Sequence, residues 1–310
     1  MTADFLEKRQ GWTLDQLIPA SYDARNGWLS HELLNPCAVV DFLYHPQAEF
    51  WADHHGTTFL TEDAKRHFER RRGAWLVYDD HSGSCACLLR NHFAECFSFT
   101  DSRYEELVEW ADKIDSARYA SVEEAILGDA PALRIRASLA AGNGQEFSKQ
   151  LVNELRFNTL DQVAGLPLVR ERAEEVRSKI AAGLERFARA VRLDEDEIAV
   201  FDVTSQQGVM LSRYAPYHFF PVARYSVGVV RSPSGAKITA MRNPWREFPS
   251  VNLGRIFGNL GETFKNVGGG GHQRVASVIL SSDQVQQAAS ILAHIVRQIR
   301  EQDALVEVVA

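Results

Sequence analysis

Three short apolar runs, each ending in aspartate, constrain this chain more than any other feature. Ala38-Val39-Val40 runs into Asp41, Phe50-Trp51-Ala52 into Asp53, and Ala74-Trp75-Leu76-Val77-Tyr78 into Asp79 and Asp80. Runs this short and this continuously apolar suit buried strands. The text between and after them is helical: Glu62 to Arg72 is highly charged, Cys85 to Phe93 carries small and apolar residues behind a Ser82-Gly83-Ser84 turn, and Tyr104 to Ile114 is amphipathic. The expectation is an α/β domain, a mostly parallel sheet with helices on both faces. One spacing pulls against it. The connection between the first two strands is only about seven residues, short of the dozen or so that a parallel crossover usually takes.

A chain of 310 residues is long for one core, so two domains are expected. Val122 to Leu127 and Gln145 to Leu155 read as further helices, Tyr22 to Gly27 as a turn and Ala140 to Gly144 as a loop. Pro167 opens the longest helical pattern, running to about Arg192 with Val176, Ile180, Leu184, Phe187 and Val191 at helical spacing. Beyond the acidic turn Asp194 to Glu197 the texture becomes strands, at Ile198–Val203, Val209–Leu211, Ala223–Val230 and Lys237–Met241, with Ser232 to Gly235 as a hairpin turn. A helix over about Val251 to Lys265, a strand at Val275–Leu280 and a closing helix at Gln284–Glu301 complete the chain. The boundaries read as a first domain over 1–165, a linker helix over 166–193, and a smaller α/β domain with a mixed sheet over 194–310.

Composition narrows the class of function. A formal net charge of −7 argues against coating long nucleic acid, while leaving room for a small phosphorylated substrate in a local basic pocket. No apolar run approaches the ~20 residues of a membrane span, and no signal-like segment opens the chain. Cys37, Cys85, Cys87 and Cys96 lack the spacing of a zinc site. A cytoplasmic protein is expected, and an oligomer is compatible with the sequence.

Candidate chemistry gathers at the strand ends. Asp41, Asp53, His54 and His55 offer two carboxylates and two imidazoles where α/β sheets hold their ligands. Oxygen and imidazole donors without thiolate suit Mn²⁺ (or Mg²⁺) rather than structural zinc. Asp112 and Asp115, three residues apart, share a helix face if the helix continues. Asp79 and Asp80 are more simply explained as capping groups. Far along the chain, Gly268-Gly269-Gly270-Gly271-His272 reads as a flexible loop whose backbone N–H groups can approach a phosphate or base closely.

Asp53-His54-His55 together with Gly269-Gly270-Gly271-His272, in this order and in separate halves, resembles the DHH phosphoesterase superfamily with its DHH-associated second domain, over residues 37 to 285. The resemblance implies that Asp41 bridges metals, His54 ligates metal, His55 approaches the substrate phosphate, and an acid on a later helix followed by a small hydroxyl residue completes the set, as at Asp115-Ser116 with Asp112 its near competitor. It also implies that Gly269 to His272 bind the nucleotide part of the substrate. Arg242 stands where such second domains carry a phosphate-binding arginine, the alternative being an ordinary exposed arginine. The superfamily's first motif, a strand ending in His-x-Asp-x-Asp-Gly, has no counterpart ahead of Asp41. Either those ligands are lost and the chain holds one metal or none, or His45 or Asp23 is recruited into a rearranged site. The function expected is a metal-dependent phosphodiesterase acting on short oligonucleotides or small nucleotide phosphoesters; the alternative is a nucleotide-binding protein that keeps the domains without the chemistry.

Overall fold

The computed structural model describes residues 1–20, 25, 27–142, 144–206, 210–232 and 235–309, of which 306–309 as backbone only. Most of the Tyr22–Gly27 turn, Asp23 with it, lies outside these residues, as do Asn143, Val209 and the tip of the 232–235 hairpin. The chain forms two compact units, Met1–Tyr119 with Asp129–Val176, and Ala120–Gly128 with Arg177–Ala310.

The first unit is built on a three-stranded parallel sheet, β1 (Ala38–Val40), β2 (Phe50–Asp53) and β3 (Leu76–Tyr78), with β2 in the middle. The pairing is in register from Ala38 opposite Phe50 and from Trp51 opposite Leu76. The short β1–β2 connection closes a parallel pair after all. Strands of three residues span only ~10 Å, a distance that a few extended residues can retrace. The connection is itself core: Phe42, Leu43, Tyr44 and Ala48 are buried, and the Trp51 indole N–H donates to the Phe42 carbonyl at 2.9 Å.

Alternation along β2 sorts its side chains between two apolar layers. Phe50 and Ala52 face Phe5 and Leu6 of α1 (Thr2–Gln10) and Leu88, Leu89 and Phe93 of α3 (Cys85–Phe97). Trp51 faces Tyr44 and, on α2 (Glu62–Arg71), Ala64 and Phe68. Each of the larger of these side chains contributes about 1.5–3 kcal/mol on burial. Thr61 and Ser84 start α2 and α3 by accepting from the Ala64 and Cys87 amides at 3.1 Å each. The rest of the unit is helical, with α4 (Glu105–Asp115), α6 (Pro131–Ala140), α7 (Gln145–Phe157), α8 (Leu160–Ala164) and the start of α9 (Pro167–Phe187) around Ile135, Phe147, Leu151, Val163 and Val169.

The second unit carries a six-stranded mixed sheet in the order β4-β5-β6-β7-β9-β8. Its strands are β4 (Val191–Leu193), β5 (Ile198–Asp202), β6 (Tyr225–Ser232), β7 (Gly235–Arg242), β8 (Gly269–Gly271) and β9 (Val275–Ser281). Only β5 and β6 pair in parallel. One face packs Val227, Val229, Ile238 and Val278 against Ile256 and Phe257 of α11 (Leu253–Gly258) and Ile291, Ile295 and Ile299 of α13 (Ala288–Val309). On the other, the Phe201 ring occupies the space that a side chain at Gly228 would need. Segment 120–128, with helix α5 (Val122–Leu127), belongs to this unit although it lies early in the chain.

Two sequence expectations are corrected. The long helix ends at Phe187, and Val191 to Leu193 leave it to pair antiparallel with β5. The polyglycine stretch is no loose loop: Gly269–Gly271 is an edge strand paired with Ala276–Val278. Strand and helix α11 approach closely because both are bare where they meet: a Cβ at Gly269 would stand 3.0 Å from the Phe257 carbonyl oxygen, and one at Gly254 2.5 Å from the Gly271 carbonyl oxygen. Among the described residues no helix is long and apolar enough to cross a membrane.

Candidate functional site

The carboxyl ends of β1 and β2 bring Asp41, Asp53, His54 and His55 together, with one potential ligand atom from each lying within 4.8 Å of the others. β2 ends on Asp53, which is fully buried. Its Oδ1 accepts from the His54 backbone N–H at 2.8 Å and from His55 Nδ1 at 2.7 Å. Its Oδ2 is buried without a hydrogen-bond partner among the described residues. A carboxylate oxygen so enclosed costs free energy unless a cation or donor meets it. Asp41 follows β1 in the left-handed conformation, with φ of 56°, which aspartate tolerates better than most residues. Its amide still closes the β1–β2 ladder on Ala52 O at 2.9 Å. Its carboxylate is half exposed and lies 3.6 Å from His54 Nε2 and 3.8 Å from His55 Nδ1.

The two imidazoles are oriented differently. Ser82 O lies 3.1 Å from His54 Nδ1; a carbonyl only accepts, so that nitrogen carries a proton. His54 Nε2 is thereby directed at Asp115 Oδ2, 3.1 Å away, and at Asp41. Burial alone would lower the His54 pKa; the Asp115 and Ser82 hydrogen bonds and the charges of Asp115 and Asp41 overcome it and raise it to about 9. A proton thus sits where Nε2, Asp115 and Asp41 converge, the place a metal cation would take. His55 donates through Nδ1 to Asp53; burial lowers its pKa, and that bond and the Asp53 charge raise it on balance. Around Asp41, loss of water raises the pKa, the His55 charge opposes, and the Asp115 and Asp53 carboxylates add to the rise.

Three carboxylates and an Nε2 held by a carbonyl on its far nitrogen are the donor set of a divalent cation with an oriented imidazole ligand. The unpartnered Asp53 Oδ2 fits that assignment. Of the two competing acids on α4, Asp115 joins the cluster and Asp112 does not. Asp112 Oδ1 accepts from Ser84 Oγ at 3.2 Å, and Oδ2 pairs with Arg118. Asp79 Oδ1 accepts from the His81 amide at 3.0 Å, and His81 Nδ1 lies 3.0 Å from Asp80; this trio is wholly exposed. His45 is not recruited: it is buried beside Trp28, ring centroids 5.2 Å apart. Asp23 lies outside the described residues.

In the second unit, His272 follows the glycine strand, and its amide donates to Val275 O at 2.8 Å. Arg242 is not an exposed arginine. Only 4% accessible, it donates to the carbonyls of Asn243 at 3.0 Å and Phe248 at 3.1 Å and lies 4.3 Å from the Phe248 ring centroid. Burial lowers its pKa, and the nearby Arg274 charge lowers it further. Sequence reasoning missed the Ser82 carbonyl, whose role belongs to the main chain and leaves no trace in residue type.

No family model matches the chain, and no curated protein matches it in sequence. Among solved structures, a pGpG-specific phosphodiesterase from Vibrio cholerae superposes with a TM-score of 0.56 at 17% identity, over 83% of each chain. An exopolyphosphatase-related protein from Bacteroides fragilis gives 0.44 at 13% identity, over 83% of this chain and 65% of that one. A DHH domain described as belonging to a family of ribosomal proteins gives 0.47 at 13% identity, over 81% and 63%. The first likeness shows that the fold is shared, so the resemblance read from the two motifs holds at the level of architecture.

Proposed function

We propose that this chain is a metal-dependent phosphodiesterase of the DHH type that hydrolyses short oligonucleotides or small nucleotide phosphoesters. The observation that carries the reading is the strand-end cluster of Asp41, Asp53, His54 and His55, which Asp115 joins through His54 at 3.1 Å and in which Asp53 Oδ2 is buried without a hydrogen-bond partner among the described residues. Asp41, Asp53, His54 and Asp115 would hold Mn²⁺ or Mg²⁺. When bound, the ion supplies Lewis acidity, lowering the pKa of a water and neutralising charge on the phosphate. His55, fixed by Asp53 through Nδ1, presents Nε2 as a donor to a phosphate oxygen. In the second unit, Gly269, Gly270, Gly271 and His272 would bind the nucleotide part of a substrate, with Arg242 contributing positive charge.

The linear dinucleotide pGpG, named for the Vibrio neighbour, is the first substrate to try, followed by other di- and trinucleotides and cyclic dinucleotides. Expected is Mn²⁺-dependent release of mononucleotides that Asp41→Ala reduces by several orders of magnitude. Intact substrates throughout would end the enzymatic reading. Calorimetric binding of the same nucleotides without turnover would then favour a binding protein, the reading suggested by the missing first motif.

A further inference from the structure

Asp112 has the residue type and helix face of a metal ligand, but its surroundings give it another task. Helix α4 ends on Asp115, which reaches His54 at 3.1 Å; one turn earlier, Asp112 meets the loop ahead of α3 instead. Ser84 Oγ donates to Asp112 Oδ1 at 3.2 Å while accepting from the Cys87 amide at 3.1 Å, so one hydroxyl joins the carboxylate to the first turn of α3. Ser82 Oγ donates to the Ser84 carbonyl at 3.0 Å, and the Ser82 carbonyl receives His54 Nδ1 at 3.1 Å. Gly83, between them, leaves room for the carboxylate: a Cβ there would run into Asp112 Oδ1. Arg118 pairs with Asp112 Oδ2 and the Ser116 hydroxyl with the Asp112 carbonyl, so the acid is braced from its own side as well.

We propose that Asp112 is a positioning residue. It clamps the Ser82-Gly83-Ser84 turn so that the Ser82 carbonyl fixes the orientation of His54, and it contacts no metal itself. A carbonyl on the far nitrogen of a ligating histidine sets both which nitrogen is offered and where the ring points. Here that carbonyl lies in a turn of three small residues, held by the Ser82 and Ser84 hydroxyls and the Asp112 carboxylate. The chain of contacts runs Asp112, Ser84, Ser82, His54, and it explains why two acids three residues apart on one helix face end in different places. This inference rests on the metal site of the proposed function and assigns the part of α4 that does not touch it.

The test is Mn²⁺ binding by calorimetry, free of substrate, for the full chain and for Asp112→Ala, Asp112→Asn, Gly83→Ala and the Gly83→Ala/Asp112→Ala pair, each with its thermal melt. Loss of an outer partner of a ligating histidine weakens metal affinity about 10–100-fold. That loss is expected for Asp112→Ala. Gly83→Ala should match it through the clash alone, and the pair should bind no worse than Asp112→Ala, because the clash partner is gone. The nitrogen coupling of His54 in the Mn²⁺ electron spin-echo spectrum should change in strength in the variants, which a purely structural loss would not produce. Additive losses in the pair, or affinity within twofold of the parent in both single variants with unchanged nitrogen coupling, would overturn the proposal. A parent chain that binds no Mn²⁺ would instead remove the proposed function itself.

Discussion

Metal binding at His54 should be a competition with a proton, and its size follows from the site. The ring is nearly buried and its pKa stands at about 9: burial opposes the charge, but the Asp115 hydrogen bond, the Ser82 carbonyl and the Asp41 charge outweigh it. A cation can use Nε2 only after that proton leaves. At pH 7 the ring lies about two units below its pKa, so apparent affinity is reduced about 100-fold, or ~2.7 kcal/mol at ~1.36 kcal/mol per unit. Mn²⁺ titrations between pH 6.5 and 9 should show affinity rising nearly tenfold per unit and levelling near the top of that range. Repeating them at pH 7 in buffers of different ionisation heat should report about one proton released per ion, from His54. The metal-free protein feels the same shift with the opposite consequence. The folded pKa lies above the ordinary 6.5, so the stabilisation is complete below pH 6.5 and is lost as pH rises through about 9. Metal-free melting temperature should therefore fall over the interval in which metal affinity climbs. Affinity that stays flat from pH 7 to 9 with no proton released would refute both the charged state of His54 and its place among the ligands.

Two further outcomes test the second unit. Gly254→Ala places a methyl group 2.5 Å from the Gly271 carbonyl and should displace the glycine strand, costing about 1–3 kcal/mol by denaturant unfolding and raising KM more than it lowers kcat. An unchanged KM would separate the strand from substrate binding. Gly228→Val must expel the Phe201 ring from its seat and should destabilise by ~3 kcal/mol or more; a thermal melt within 2 °C of the parent would show that the ring has another place to go.

Residue type alone made a good part of this legible. Continuous apolar runs closed by aspartates announced β1 and β2; for β2 the reason is that a strand covered on both faces has no polar positions to spare until it reaches the sheet edge. The Ser82-Gly83-Ser84 turn marked the start of α3, where Ser84 supplies a side-chain acceptor to a first-turn amide. Other parts rest on contacts that spacing cannot express. Asp112 and Asp115 are equivalent on a helical wheel, and only the approach of the Ser82–Ser84 turn distinguishes them. The glycines at 269–271 read as freedom of the backbone, whereas they form an ordered strand whose bareness admits α11. Arg242 could be read as a phosphate-binding or an ordinary exposed arginine because nothing in the sequence shows Phe248 and two carbonyls closing over it. Val191 to Leu193 continued a helical spacing that the β5 ladder overrode.

The sorting of β2 between two apolar layers has a consequence for how this protein could fail. Because its side chains alternate, inserting one residue near its start would send Trp51 and Asp53 to the opposite side together. A carboxylate would then be thrust among Phe5 and Phe93 while an indole lost its seat beside Phe68. Lesions that shift this strand should therefore never yield a well-folded but inert protein; chemistry and architecture would be lost in the same step.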